Sequence, residues 1–239
     1  ASRWGMHASA IIAYVSACSI GILGLVAAFR SRSVQHWAFV VGAMLLACEQ
    51  TFQGHQISAP TPELHLLWKL RQLAVESLLP LPWLLFSLTY ARGNALEFLR
   101  RWRIVLIAFA ALQATLHLVF ARALIVATIT SPSDSRVMFE LGPAGVASEA
   151  TQLVGAVLVL VNLERTFTAA AGTIRWRIKF MLMGVALVFL LRLFLASQGL
   201  LFHGLDPAWD TLNSAALLVG SLLMGRSLLR TGRLALDVY

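Results

Sequence analysis

The sequence predicts an all-α integral membrane protein: one domain, residues 1–239, folded as a seven-transmembrane helix bundle with its N-terminus outside. Three observations predict it. Hydrophobic residues make up 59% of the chain and charged residues only 13%, against roughly 25% charged in a soluble domain. The apolar residues fall into seven runs, each close to the ~20 residues that cross a bilayer. Basic residues gather at alternate ends of those runs, which is how membrane topology is written into a sequence.

The runs lie at 8–29, 34–54, 66–90, 103–122, 145–163, 178–201 and 209–229. The first is too long for the apolar core of a signal peptide, and it ends in Phe29-Arg30, not in a small-residue cleavage site. Ser58-Ala59-Pro60-Thr61-Pro62 breaks the chain between the second and third runs. Leu79-Pro80-Leu81-Pro82 falls inside the third, where each proline removes a helix hydrogen bond and bends the helix. Between the fourth and fifth runs, Leu124–Ile129 and Val137–Leu141 are strand-like, and the intervening Ser131–Ser135 is rich in turn formers. Two readings stand for this segment: a small extracellular β-hairpin, or an irregular loop following a longer fourth helix. Trp37, Trp83, Trp102, Trp176 and Trp209 are placed near span ends, where an indole suits the interface.

Orientation follows from lysine and arginine. One set of alternate ends carries Arg30 and Arg32, then Arg92, Arg100, Arg101 and Arg103, then Arg165, Arg175, Arg177 and Lys179, and finally Arg226, Arg230 and Arg233. The other carries only Arg3, Lys69, Arg71, Arg122 and Arg136. The first side is expected in the cytoplasm, where each basic residue near an anionic leaflet contributes about 1 kcal/mol. This distribution accounts for the net charge of +8 without nucleic acid as a partner. The expected surroundings are a lipid bilayer. Cys18 and Cys48 lie in apolar runs without metal or redox spacing, and are expected to be buried packing residues.

Ionisable groups inside a membrane are expensive and ask for a reason. Glu49, Glu76, Glu149 and Arg192 fall within runs, with Gln50, Gln113, His117, Gln152, Gln198 and Asn213 as neutral companions. Following the direction of each helix puts nearly all of them in the outer half, with a largely apolar cytoplasmic half below. Arg192 is expected to pair with Glu76 or Glu49. Glu49, Gln50, Glu76, His117, Gln152, Arg192, Gln198 and Asn213 are therefore the candidate residues for binding a small or amphipathic ligand from outside. The competing reading is structural: polar groups bonded across the bundle or snorkelling at helix ends. Glu49 and Glu149 on their own read as interfacial.

No GxSxG, HExxH, phosphate loop or GxGxxG is present, so the chain offers no catalytic residues. Its six histidines are scattered, and no metal site is expected. Lys69 and Lys179 lie near span ends, which leaves no Schiff-base lysine for retinal; no cofactor is expected. Internal repeats of the transporter kind are missing.

Several stretches of the C-terminal half resemble a known family. They are Asn162-Leu163-Glu164-Arg165-Thr166, Arg175-Trp176-Arg177-Ile178-Lys179-Phe180, Gly184, Leu201-Phe202, Leu205-Asp206, Asn213-Ser214, Ser227-Leu228-Leu229-Arg230 and Leu236-Asp237-Val238-Tyr239. In order and spacing the series resembles the membrane-embedded N-terminal region of bacterial sensor histidine kinases, of the PrsK-like type associated with the exosortase/PEP-CTERM system. The likeness covers roughly 155–239 in detail and 1–154 in hydropathy and span count only. It implies a sensory module of a two-component system whose partners are cytoplasmic GAF and kinase domains of the parent chain, with a homodimer as one assembly open to it. It supplies no binding residues. Two other functions compete: a small-solute transporter or channel, and a non-catalytic anchor subunit of a larger complex. A transporter needs polar groups on both sides of the midplane, and an anchor needs no pocket.

Overall fold

A computed structural model describes residues 3–29, 33–90, 95–130 and 137–230. The helices are α1 (Arg3–Ala28), α2 (Val34–Ile57), α3 (Pro62–Leu78), α4 (Pro80–Thr89), α5 (Ala95–Leu118), α6 (Pro143–Ala169), α7 (Gly172–Phe202) and α8 (Pro207–Arg230). Three short strands, β1 (Ile125–Thr130), β2 (Val137–Leu141) and β3 (Gly204–Leu205), form an antiparallel sheet in the order β1-β2-β3. Arg30, Arg32, Arg92, Arg136 and Arg233, the Ser131–Ser135 run and the Leu236–Tyr239 segment lie outside the described residues.

Local chemistry sets the element ends. Thr61 accepts a hydrogen bond from the Leu64 amide at 3.4 Å and caps α3, with Pro62 in the first turn where its missing N–H costs nothing. Pro80 ends α3, and the Leu79 amide turns back to the Glu76 carbonyl at 3.0 Å instead of continuing the regular ladder. The chain then resumes as α4, so the third span is two helices meeting at a kink. Helix α6 crosses that kink closely: a Cβ on Gly155 would stand 2.7 Å from Pro80 Cβ. Helix α7 ends where His203 adopts φ 51°, the left-handed conformation that stops a helix. The His203 carbonyl then accepts from the Leu141 amide at 2.9 Å and ties α7 to the sheet.

Packing gives a closed ring, α1–α2–α3/α4–α6–α7–α8 and back to α1, with α5 outside it against α4 and α6. The tightest approach joins α7 to α8, where Gly184 and Gly220 face each other. A Cβ on Gly184 would lie 2.6 Å from the Gly220 carbonyl oxygen, and one on Gly220 would lie 2.9 Å from that of Gly184. Small residues let membrane helices approach to backbone contact in this way.

Among the described residues, five helical segments are long and apolar enough to cross a membrane: 7–28, 62–89, 143–169, 178–202 and 209–229. Helix α2 falls short because it carries Glu49 and four glutamines, and α5 because its first turns carry Glu97, Arg100, Arg101 and Arg103. The fourth run is also shifted: its helix starts before 103 and ends at Leu118, and residues 121–123 form a separate 3-10 turn.

Other expectations need correcting. Trp83 is a core residue, 1% exposed, packed edge-on against Phe39, Phe86 and Phe189. The Pro80 kink turns it inward. Cys18 is exposed on the outer face of α1, where no neighbouring helix covers it, and Cys48 is half-buried. At the end of the bundle where α2 and α7 begin, Phe39, Trp83, Phe86, Tyr90 and Phe189 fill the interior. That end is not purely apolar, because His36, Asn162, Thr166 and Ser227 are buried there too.

Candidate functional site

The opposite end of the bundle, where the sheet sits, holds a polar chamber. Its wall comes from α2 (Glu49), α3 (Lys69, Gln72, Glu76), α6 (Glu149), α7 (Gln198, Gly199), β3 and α8 (Asp210, Asn213). Helical spacing assembles each contribution. Lys69, Gln72, Leu73 and Glu76 stand at i, i+3, i+4 and i+7, so α3 turns one polar stripe inward. Asp210, Asn213 and Ser214 do the same on α8, and Glu49 with Gln53 on α2.

Two ion-pair systems hold the wall together. Arg192 of α7 donates through Nη2 to Glu49 Oε2 of α2 and through Nη1 to Glu76 Oε1 of α3, the latter at 3.1 Å. The side chains of Arg192 and Glu49 are 7% and 1% exposed, and that of Glu76 is 22%. Asn213 Nδ2 donates to the other Glu49 oxygen at 3.4 Å. In the second system Lys69 Nζ donates to Asp210 Oδ2 at 2.8 Å and to Gln72 Oε1 at 3.3 Å. Removing one partner of a buried pair leaves an uncompensated charge and costs about 3–5 kcal/mol, so these links tie α2, α3, α7 and α8 to one geometry.

The sequence candidates distribute as follows. Glu49, Glu76, Gln198 and Asn213 line the chamber, and Arg192 braces two of them. Gln50 lies beside the chamber, its Oε1 accepting from Ser16 at 3.1 Å and Ser214 at 2.6 Å. Gln152 supports the wall from α6 by donating to the Glu76 carbonyl at 2.7 Å. His117 stands apart: half-buried on α5, it bonds the Gln113 carbonyl at 3.1 Å beside a Ser148–Gln113 contact, and is no part of the chamber wall. The peripheral position of α5 is the reason. Lys69, Gln72, Glu149 and Asp210 are wall residues that the sequence reading did not assign to the site. Lys69 is 2% exposed and is a bundle-interior cation, not a topological end charge. Glu49 and Glu149, 0% and 7% exposed, are both buried in the chamber wall.

The chamber measures about 40 Å³. At ~10–15 Å³ per water-sized probe it admits a few waters, far below the ~300 Å³ where drug-sized sites begin. In this conformation it excludes any amphipathic molecule. Among the described residues no group of His, Cys, Asp and Glu is arranged to hold a metal ion.

Comparison with known families adds the deciding observation. Residues 12–234 match the model of the N-terminal 7TM region of histidine kinase, and the match runs through all the helices described above. The chain belongs to this family. This 7TM region is therefore the sensor part of a histidine kinase, a multi-pass membrane segment and not the catalytic core. No curated protein and no solved structure matches it. The chamber is thus a feature of the 7TM region of a histidine kinase.

Proposed function

We propose that this 7TM region receives a signal at the chamber end and passes it along α7 and α8 to GAF and kinase domains on the cytoplasmic side of the parent chain, in a PrsK-like kinase of the bacterial inner membrane. One observation carries this reading: Arg192, on α7, is bonded at once to α2 and α3. Any change in those carboxylates acts on α7, and α7 is locked to α8 through Gly184 and Gly220. A ligand shifts such a bundle only by its different affinity for two arrangements, and the Pro80 kink supplies a second arrangement. The chamber residues Glu49, Glu76, Gln198 and Asn213, with Arg192, Gln50 and Gln152 behind them, are the proposed ligand-sensing set. A conduction path is disfavoured by the aromatic packing of Phe39, Trp83, Phe86, Tyr90 and Phe189 at the other end.

The proposed topology has seven crossings, with the N-terminus and the β-sheet outside. Helices α2 and α5 complete the count. The polar groups of α2 point into the ring while Val34, Trp37, Val41 and Met44 face outward. Beyond its arginines α5 exposes Ile104, Val105, Ile107, Leu112 and Leu118, a surface suited to lipid. Reporter fusions after Arg32, Arg92, Ala171 and Arg230 are expected to report cytoplasm, and fusions at Pro60, Ser133 and Pro207 the outside. Two or more reversed reporters contradict this topology.

Gly199 gives the test of the function itself. A Cβ there meets Leu205 at 3.4 Å and Glu149 at 3.6 Å, ordinary contact distances, and the side chain would enter the chamber. Gly199→Leu is expected to fill the space while sparing both ion-pair systems. The full-length kinase carrying it should insert normally yet lose the change in autophosphorylation that the native stimulus produces. An unaltered response would remove the chamber from the signalling path.

A further inference from the structure

The charges of the chamber do not balance. Lys69 neutralises Asp210, but Arg192 brings one positive charge to two carboxylates, Glu49 and Glu76. Glu149 has no such partner. Its side chain lies in the chamber wall, its residue is only 7% exposed, and no hydrogen bond or ion pair holds the carboxyl among the described residues. Five carboxyl groups, those of Glu49, Glu76, Glu149, Asp206 and Asp210, therefore line a partly open chamber beside two cations, Lys69 and Arg192. An ionised carboxylate taken out of water without a counter-charge carries a penalty of several kcal/mol. A proton on the carboxyl relieves it, and so does a small cation delivered into the cavity beside Glu149.

The space selects the form of that charge. About 40 Å³ admits an ion the size of water and little more. The wall around it is rich in acceptors and amide groups: besides Glu149 it carries Gln198 and Asn213, the latter with its Nδ2 already turned toward Glu49. Such a lining suits an occupant that donates several hydrogen bonds, and ammonium has both the size and the donors. A metal ion is less well served, since no three His, Cys, Asp or Glu groups converge among the described residues.

We infer that the chamber is a binding site for a small monovalent ammonium-type cation, ammonium itself or methylammonium, held by the Glu149 carboxylate with Gln198 and Asn213. The inference rests on the reading of the chamber as the sensory site and names the class of ligand it takes. Binding places a charge next to the Arg192–Glu49–Glu76 junction, which weakens the hold of Arg192 on the two carboxylates. A cation at this site thus has a direct mechanical route into α7.

The test is thermal unfolding of the purified chain in lipid nanodiscs at fixed pH, titrated with ammonium chloride, methylammonium chloride and choline chloride at constant ionic strength. Ammonium and methylammonium should raise the midpoint with the logarithm of concentration, by roughly 3 °C or more once they exceed their Kd several-fold, and choline, too large for the chamber, should not. Glu149→Gln removes the unpaired charge: its midpoint in choline should already lie above wild type, and the ammonium response should vanish. Glu149→Asp, which keeps the charge, should retain a weakened response. Equal shifts with choline, or an ammonium response that survives Glu149→Gln, would overturn the inference. So would a Glu149-dependent rise obtained only by lowering pH, which would make the occupant a proton. Because the readout is binding, a Glu149-dependent shift that grows with concentration stands even if the kinase ignores ammonium; in that case the sensory reading fails and the site remains.

Discussion

Arg192→Leu is expected to destabilise the bundle by about 3–5 kcal/mol, a fall of roughly 10 °C in the thermal midpoint for a chain of this size. The cost comes less from the lost attraction than from what is left behind. Glu49, with a side chain 1% exposed, would face the bundle interior with only a long hydrogen bond from Asn213. Glu76 is 22% exposed and can recover part of its solvation. Rescue should therefore follow burial: adding Glu49→Gln to Arg192→Leu should restore more stability than adding Glu76→Gln. The triple variant should approach wild type, since a buried ion pair exchanged as a whole for neutral groups is often nearly neutral. Thermal unfolding in detergent of the two doubles and the triple checks the order. A neutral Arg192→Leu would mean that the guanidinium is solvated and the junction carries no load.

Gly184→Leu is the second large effect. A Cβ at Gly184 already falls 2.6 Å from the Gly220 carbonyl oxygen and 2.7 Å from Met224 Cγ. The methionine can move, but the backbone of α8 cannot move without separating the helices. Overpacking of this kind costs about 1–3 kcal/mol and more where backbone must shift, so a loss of about 3 kcal/mol is expected, with Gly184→Ala intermediate. Gly199→Ala, where a Cβ meets only ordinary contacts, is the matched control and should stay within about 0.5 kcal/mol of wild type. Melting curves for the three variants in one detergent decide it. The kinase should also uncouple in Gly184→Leu, because α7 and α8 would no longer move as a unit.

Hydropathy made most of the helices legible, because lipid demands long apolar runs with satisfied backbones. Helix α2 tests the limit of that signal. It was read as a span although Glu49, Gln50, Gln53 and Gln56 lower its apolarity, and the structure turns all four into the ring. The chamber was legible only in part, for a related reason. Depth can be read from a residue's place along a span, and that placed Glu49, Glu76, Gln198 and Asn213 at one end. Rotation about the helix axis and the choice of neighbours cannot be read from depth. On depth alone Lys69 reads as an end charge, Glu49 and Glu149 read as interfacial, and His117 reads as part of the site although it does not line the chamber. A sharper signal was present in the spacing Lys69, Gln72, Glu76 and in Asp210, Asn213, Ser214. Such stripes mark a polar face in a membrane helix, and a polar face turns toward other helices.

The β-strands show the same division. Alternation and composition suggested strands at 124–129 and 137–141, whereas the third strand, Gly204–Leu205, has no signal of its own. It exists because His203 ends α7 in a left-handed turn and delivers its carbonyl to Leu141. Neither residue reveals this in isolation.

The charged junction at the chamber end is proposed to set the output of the kinase. The most direct measurement is autophosphorylation of the full-length parent kinase in membranes, with and without its native stimulus, for Arg192→Met, Glu76→Gln and Asn213→Leu beside wild type at matched membrane levels. Each variant should insert, and each should be locked, high or low, with its response to the stimulus lost. Three variants that respond as wild type does would contradict that role and leave the bundle as a membrane anchor.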